Sequence, residues 1–167
     1  RVEVGQSMII LPSWDKGFDL QGRHPIWIEP GQGFGTGNHP SSALALEMLE
    51  NHLMKTSDKP QCMLDLGIGS GILAIAACRL GVKKVKGVDI ENIAVHEALA
   101  NRDLNGLSNR IMATVGGPSK IKKSATLVIS NMLLSELLNV SNDFARLTTL
   151  GGTLICSGII LEQADEL

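Results

Sequence analysis

Seven residues have the types and spacing to do chemistry. "DLGIGSG" places Asp65, then Gly67, Gly69 and Gly71, between an apolar strand pattern and an apolar helix pattern. Asp89 ends the next strand pattern, "VKGVDI", about 20 residues on. Asn131 ends a later one, "TLVISN". His39 closes a separate glycine-rich stretch, "EPGQGFGTGNHPSS". Glycines after a strand let the backbone turn tightly and approach a ligand closely. A carboxylate at the end of the following strand can accept hydrogen bonds from two ribose hydroxyls, so the pair implies an adenosine moiety.

The ligand's other end follows from Asp65. A dinucleotide site prefers G-x-G-x-x-G with pyrophosphate on the helix N-terminus. Here the spacing is G-x-G-x-G, and an anion stands two residues ahead of it. Beside a pyrophosphate that anion repels; beside an ammonium it attracts. The pattern favours a ligand with an amino-acid end, such as S-adenosylmethionine, unless Asp65 only caps the turn. Asn131 reads two ways: it can cap the following helix, or hold an amine with its acceptor and donors.

These groups need a scaffold at their carboxyl ends. "SMIILP" and "PIWIEP" read as short strands, and Ser41 to Met54 as a helix with Leu44, Met48, Leu49 and Leu53 on its apolar stripe. From "CMLDLG" onward the pattern alternates. Strands at "CMLDLG", Val85–Ile90, "RIMATVG", "TLVISN" and "GGTLICSG" are separated by helices at "GILAIAACRLG", "ENIAVHEALANRDLNG" and "LLSELLNVSNDFARL", and by one basic loop. Apolar strands alternating with helices predict a doubly wound, mostly parallel α/β sheet covered on both faces.

Bulk composition narrows the class. The length of 167 residues suggests one domain, and a net charge of -2 gives no global field for nucleic acid. Five aromatics and no Tyr argue against a base-stacking surface. Three scattered cysteines read as buried reduced thiols in a cytoplasmic protein, and with four scattered histidines they show no zinc spacing. No membrane span is expected. Lys120, Lys122 and Lys123 read as a solvated loop.

Together these segments resemble the PrmA family, methyltransferases that modify lysine and amino-terminal nitrogens of a large-subunit ribosomal protein. The carrying segments are "GQSMIILPSW", "IEPGQGFGTGNHPSSALALEML", "LDLGIGSGILAIAACRLGVKKVKGVDIENIAVHEALANRDLNG", "ISNMLLSEL" and "GGTLICSGIILEQADEL". The resemblance implies a Rossmann-like class I methyltransferase fold, a lead-in over residues 1–30 and a cofactor core over 31–167. It also implies that the family's amino-terminal recognition domain and last two strands are missing. It assigns Ser42, Gly67, Asp89 and Asn131 to S-adenosylmethionine, and with the residue reading above the expected cofactor site also takes in Phe34, Gly35, Thr36, Asp65, Gly69, Gly71 and Ile90. The loop would wrap over the cofactor, with Phe34 covering the methyl-donor end and the helix starting at Ser42 meeting its carboxylate. Asn131 and His39 would be catalytic, although His39 also reads as a brace for the loop. The expected partner is a ribosomal protein, with no direct nucleic-acid, membrane or metal contact. The sequence departs from the family at Ser41 and Ser42, where threonines are usual, at Asn38, and in "SNML". Rival readings are a nicotinamide-dependent oxidoreductase and a cofactor-binding module without activity.

Overall fold

The computed structural model describes residues 1–29 and 39–166, with the side chains of 164–166 left aside. The core is a sheet of five strands: β4 (Cys62–Leu66), β5 (Lys84–Asp89), β6 (Ile111–Val115), β7 (Ala125–Asn131) and β8 (Thr148–Ser157). Their order is β6-β5-β4-β7-β8, and every neighbouring pair is parallel. The chain winds outward from β4 to β6, then returns to lay β7 on the other side of β4. That reversal opens a crevice at the carboxyl ends of β4 and β7, where doubly wound sheets hold ligands.

The expected helix over 41–54 is α1 (Pro40–Lys55). α2 (Ile72–Arg79) and α3 (Asn92–Leu104) follow β4 and β5. The predicted helix after β7 is broken at Val140 into α4 (Leu134–Asn139) and α5 (Ser141–Leu147). Leu137, Phe144 and Leu147 bury against Leu64, Leu66 and Val128 on one face of the sheet. The opposite face carries Met63, Val85, Leu127 and Ile129 and packs on α1 to α3.

The lead-in is a second, three-stranded sheet: β1 (Val2–Val4), β2 (Met8–Pro12) and β3 (His24–Ile28). β1 had no sequence signal beyond its three residues. Met8, Ile10, Ile26 and Ile28 join the same core cluster as α1 and α2. α2 is thus enclosed between two sheets, so every residue from Ile72 to Cys78 is buried. A helix apolar all round is stable only in such a position.

Two packing expectations are corrected. Leu44 and Met48 are exposed at 57% and 46%; the buried stripe of α1 is Ser42, Ala45, Leu46, Leu49, Glu50 and Leu53. Nothing in the helical period forbids the first stripe, but only the second faces both the lead-in and the sheet. The outer face is also only partly covered. Between β6 and β7 the chain makes a 3-10 turn (Pro118–Lys120) in place of a full helix, and Lys84, Lys86 and Met112 stay exposed on β5 and β6. Lys120, Lys122 and Lys123 are exposed beside that turn.

Among the described residues, no helix is long and apolar enough to cross a membrane, and no group of His, Cys, Asp and Glu could hold a metal ion.

Candidate cofactor and methyl-transfer site

The turn after β4 is built from left-handed residues. Gly67, Gly69 and Gly71 have φ of 79°, 51° and 79°, a region that side chains with a Cβ rarely adopt. Gly67 and Ile68 donate their N–H groups to the Val88 carbonyl at 2.9 and 3.0 Å, tying the turn to the end of β5. A Cβ on Gly67 would meet the Met132 thioether at 2.7 Å, and one on Gly71 would meet Ala98 at 3.2 Å. The glycines therefore serve the close approach of β7 and α3 as well as the turn.

Asp89 is braced from two sides. Gly69 N–H donates to Oδ2 and Glu91 N–H to Oδ1, both at 3.0 Å. A carboxylate can accept more bonds than these two, so Asp89 keeps acceptor capacity at the carboxyl end of β5. Ile90, next in the chain, is 75% exposed.

Asp65 is the anomaly. It is fully buried, and neither carboxyl oxygen has a hydrogen-bond partner among the described residues. Burial, and secondarily the charge of Asp89, push its pKa well above the ordinary carboxylate range. A cap on the turn would show bonds to the turn's N–H groups. Gly67 and Ile68 instead bond to Val88 and Gly69 to Asp89, so those donors are already taken.

Ser42, Asn131 and Ser157 meet at the ends of α1, β7 and β8. Asn131 Nδ2 donates to Ser42 Oγ at 3.3 Å. Ser157 Oγ donates to Asn131 Oδ1 at 2.8 Å and lies 3.3 Å from the Ser41 carbonyl. Asn131 does not cap α4, whose first turn is held by Glu136 accepting from Leu133 N–H at 3.0 Å. His39 caps α1: its Nδ1 accepts from Ser41 N–H at 3.3 Å and pairs with Ser41 Oγ at 2.8 Å. Its carbonyl accepts from the N–H of Ser42 and Ala43 at 3.0 and 3.2 Å. The N–H groups of Ser41, Ser42 and Ala43 are thus occupied by His39, and the buried Ser42 hydroxyl accepts from Asn131. The loop that His39 would brace lies outside the described residues. Phe34, Gly35 and Thr36 lie outside the described residues.

Four supporting residues carried no sequence signal. Asn101 Oδ1 accepts from Glu29 N–H at 2.9 Å while its Nδ2 donates to the Ser70 carbonyl at 2.9 Å. It couples the end of the lead-in to the glycine turn. Asn105 pairs with both backbone groups of Trp27, at 3.1 and 2.7 Å, as a neighbouring strand would. Glu50 accepts from Gln6 N–H, Ser7 N–H and Ser7 Oγ at 2.8, 2.8 and 2.5 Å, fixing the lead-in to α1. Ser157 is the fourth.

A model of the family described as ribosomal protein L11 methyltransferase matches residues 1–167. The chain belongs to the PrmA family. It is 37% identical over 164 residues to the ribosomal protein L11 methyltransferase of Citrifermentans bemidjiense, covering 97% of this chain and 54% of that protein. It is 39% identical over 160 residues to that of Geobacter sulfurreducens, covering 96% and 51%. The chain thus spans about half the length of the curated PrmA relatives it matches. Among solved structures, the ribosomal protein L11 methylase of Lactobacillus delbrueckii subsp. bulgaricus superposes with a TM-score of 0.88. It is 28% identical, with 99% of this chain and 83% of that one covered. The Trypanosoma brucei PRMT1 enzyme-prozyme complex with AdoHcy matches at a TM-score of 0.57 and 27% identity, over 66% and 37%. The Rossmann-like class I methyltransferase fold is thereby established for the five-stranded core.

Proposed function

We propose that this PrmA-family chain is the methyltransferase part of a protein that binds S-adenosylmethionine and methylates amine nitrogens of ribosomal protein L11. The observation that carries the reading is Asp65. A buried carboxyl group without a protein donor is costly, and at this position it suits a ligand ammonium. The rest of the donor set fits the same cofactor. Asp89 presents acceptors for ribose hydroxyls, Ile90 offers an exposed apolar side chain for the adenine, and Ser42 offers a hydroxyl for the carboxylate. A dinucleotide fits worse, because its pyrophosphate would sit near Asp65.

S-adenosylmethionine, when bound, supplies a methyl group on a positively charged sulfur. The chain's task is to present a neutral amine to it. A free lysine has a pKa near 10.4, so deprotonation at neutral pH costs roughly 4–5 kcal/mol. Burial beside a positive charge lowers that cost, since both disfavour the ammonium. Asn131 Oδ1 accepts one bond from Ser157 and retains a second acceptor site, which can take an amine N–H and aim the nitrogen lone pair. Little further acid–base machinery is required, and positioning supplies much of the rate. The same reading places residues 1–30 as a support for α1 and the glycine turn, and the protein in the cytoplasm.

Asp89→Ala should weaken S-adenosylmethionine binding by about 1.5–3 kcal/mol, the range for hydrogen bonds to a charged group. The melting point of the protein without cofactor should fall modestly and by less than for loss of a buried carboxylate, because the Gly69 and Glu91 N–H groups that Asp89 holds stand at the strand end, where water can replace it. Calorimetry with the wild type and the variant tests this, and unchanged affinity removes Asp89 from the site. Calorimetry with NAD separates the oxidoreductase reading. Transfer of labelled methyl to purified ribosomal protein L11 by the full-length protein tests the activity, and binding without transfer would support the inactive-module reading.

A further inference from the structure

We propose that Ser157 is a positioning residue for the acceptor amine, acting through Asn131. The inference rests on the reading above and goes beyond it, because it assigns the orientation of the Asn131 amide to a residue on the neighbouring strand. Asn131 and Ser157 are register partners at the carboxyl ends of β7 and β8. Ser157 is 7% exposed, so its hydroxyl satisfies itself inside the protein. Its O–H has two acceptors in reach, Asn131 Oδ1 at 2.8 Å and the Ser41 carbonyl at 3.3 Å. The shorter contact keeps the amide oxygen toward β8 and the amide nitrogen toward Ser42, 3.3 Å away.

An amide has one acceptor end and one donor end of nearly equal size. Packing alone therefore distinguishes the two ends poorly, and the hydrogen bonds decide. Ser42 does not decide, because its hydroxyl can either accept from Nδ2 or donate to Oδ1. Ser157 biases the choice by distance: its O–H lies 2.8 Å from Oδ1 against 3.3 Å for the Ser41 carbonyl, so its proton goes to the amide oxygen and Oγ is not left to accept from Nδ2. Without that proton the amide can turn over, with Nδ2 donating toward Ser41. The group offered to the incoming amine then changes in kind. A second brace limits how the strand ends can shift: Met132 N–H donates to the Ser157 carbonyl at 3.1 Å. The backbone arrangement should survive loss of the hydroxyl, while the amide orientation should not.

The test uses the full-length protein with Ser157→Ala and Ser157→Thr. The side-chain amide signals of Asn131, assigned by their loss in Asn131→Asp, are read by NMR without cofactor. We expect Ser157→Ala to shift or double them and Ser157→Thr to leave them nearly in place. With ribosomal protein L11 and S-adenosylmethionine, Ser157→Ala should lower kcat roughly ten- to hundredfold, the scale of a small misplacement of reacting groups. KM for the ribosomal protein should change little, and Ser157→Thr should restore most of kcat. Unaltered amide signals in Ser157→Ala overturn the proposal, as does a Ser157→Thr variant as slow as Ser157→Ala. If the wild type transfers no methyl, the functional reading fails, and the amide signals alone decide whether Ser157 orients Asn131.

Discussion

Asp65→Asn is expected to melt at a higher temperature than the parent protein at pH 7 and to bind S-adenosylmethionine about thirtyfold more weakly or worse. Both effects have one cause. The Asp65 carboxyl is fully buried without a protein donor, and burial, with the charge of Asp89 adding to it, raises its pKa well above 3.8. A carboxyl whose folded pKa is raised costs nothing below its unfolded pKa. It destabilises increasingly as pH rises from the unfolded value toward the folded one. The neutral amide removes that penalty, so the gain in melting temperature should be present at pH 7 and vanish near pH 3–4, the unfolded carboxylate range. The loss of affinity follows from removing the charge that meets the ligand ammonium, an exchange worth roughly 2–4 kcal/mol for a desolvated pair. Thermal melts at the two pH values and calorimetry at pH 7 check both halves. A variant less stable at pH 7 would mean that Asp65 has a partner that stabilises its charge. Unchanged affinity would place Asp65 outside the ligand's reach. That combination of gained stability and lost affinity is the pattern expected of a site shaped for a charged ligand.

Glu50→Ala is expected to lose about 2–4 kcal/mol of stability, because it strands the N–H groups of Gln6 and Ser7 and the Ser7 hydroxyl together. Glu50 is a buried carboxylate of the opposite kind to Asp65. Burial pushes its pKa upward, but the hydrogen bonds from Ser7 and from the N–H groups of Gln6 and Ser7, with the Arg23 charge, outweigh this, and the net shift is downward. A carboxylate with a lowered folded pKa contributes stability above its unfolded value, ordinarily 4.5, and loses it as pH falls through the folded one. The difference between parent and variant should therefore be full at pH 7 and shrink in acid. Denaturant unfolding at pH 7 and pH 3 measures it, and a difference that grows in acid would contradict the assignment. The functional consequence is indirect. Glu50 ties the lead-in turn to α1, whose first turn carries His39 and Ser42, so cofactor affinity should weaken in step with stability.

The sequence by itself determined the parts of this protein whose signal is local. A strand, three glycines at fixed spacing and a helix can be read in one short window, and Asp89 stands at the next strand's end whatever lies around it. The alternation of apolar strands and helices likewise determined the parallel sheet, because each element carries its own period. The tertiary structure decided everything held by distant partners. Glu50 meets Gln6 and Ser7 from 44 and 43 residues away, Asn105 meets Trp27 across 78, and Ser157 meets Asn131 across 26. No local pattern marks such residues, since a polar side chain on a helix or strand reads as solvent-facing until its partner is placed. The same reason explains Leu44 and Met48. Their helical spacing was sound, but which stripe is buried depends on a lead-in sheet packed on one side of α1 and the main sheet on the other. Asp65 lies between the two cases. Its position ahead of the glycines was plain in the sequence, and only the fold could show that the turn's donors are spent elsewhere, leaving its carboxyl group buried without a donor among the described residues.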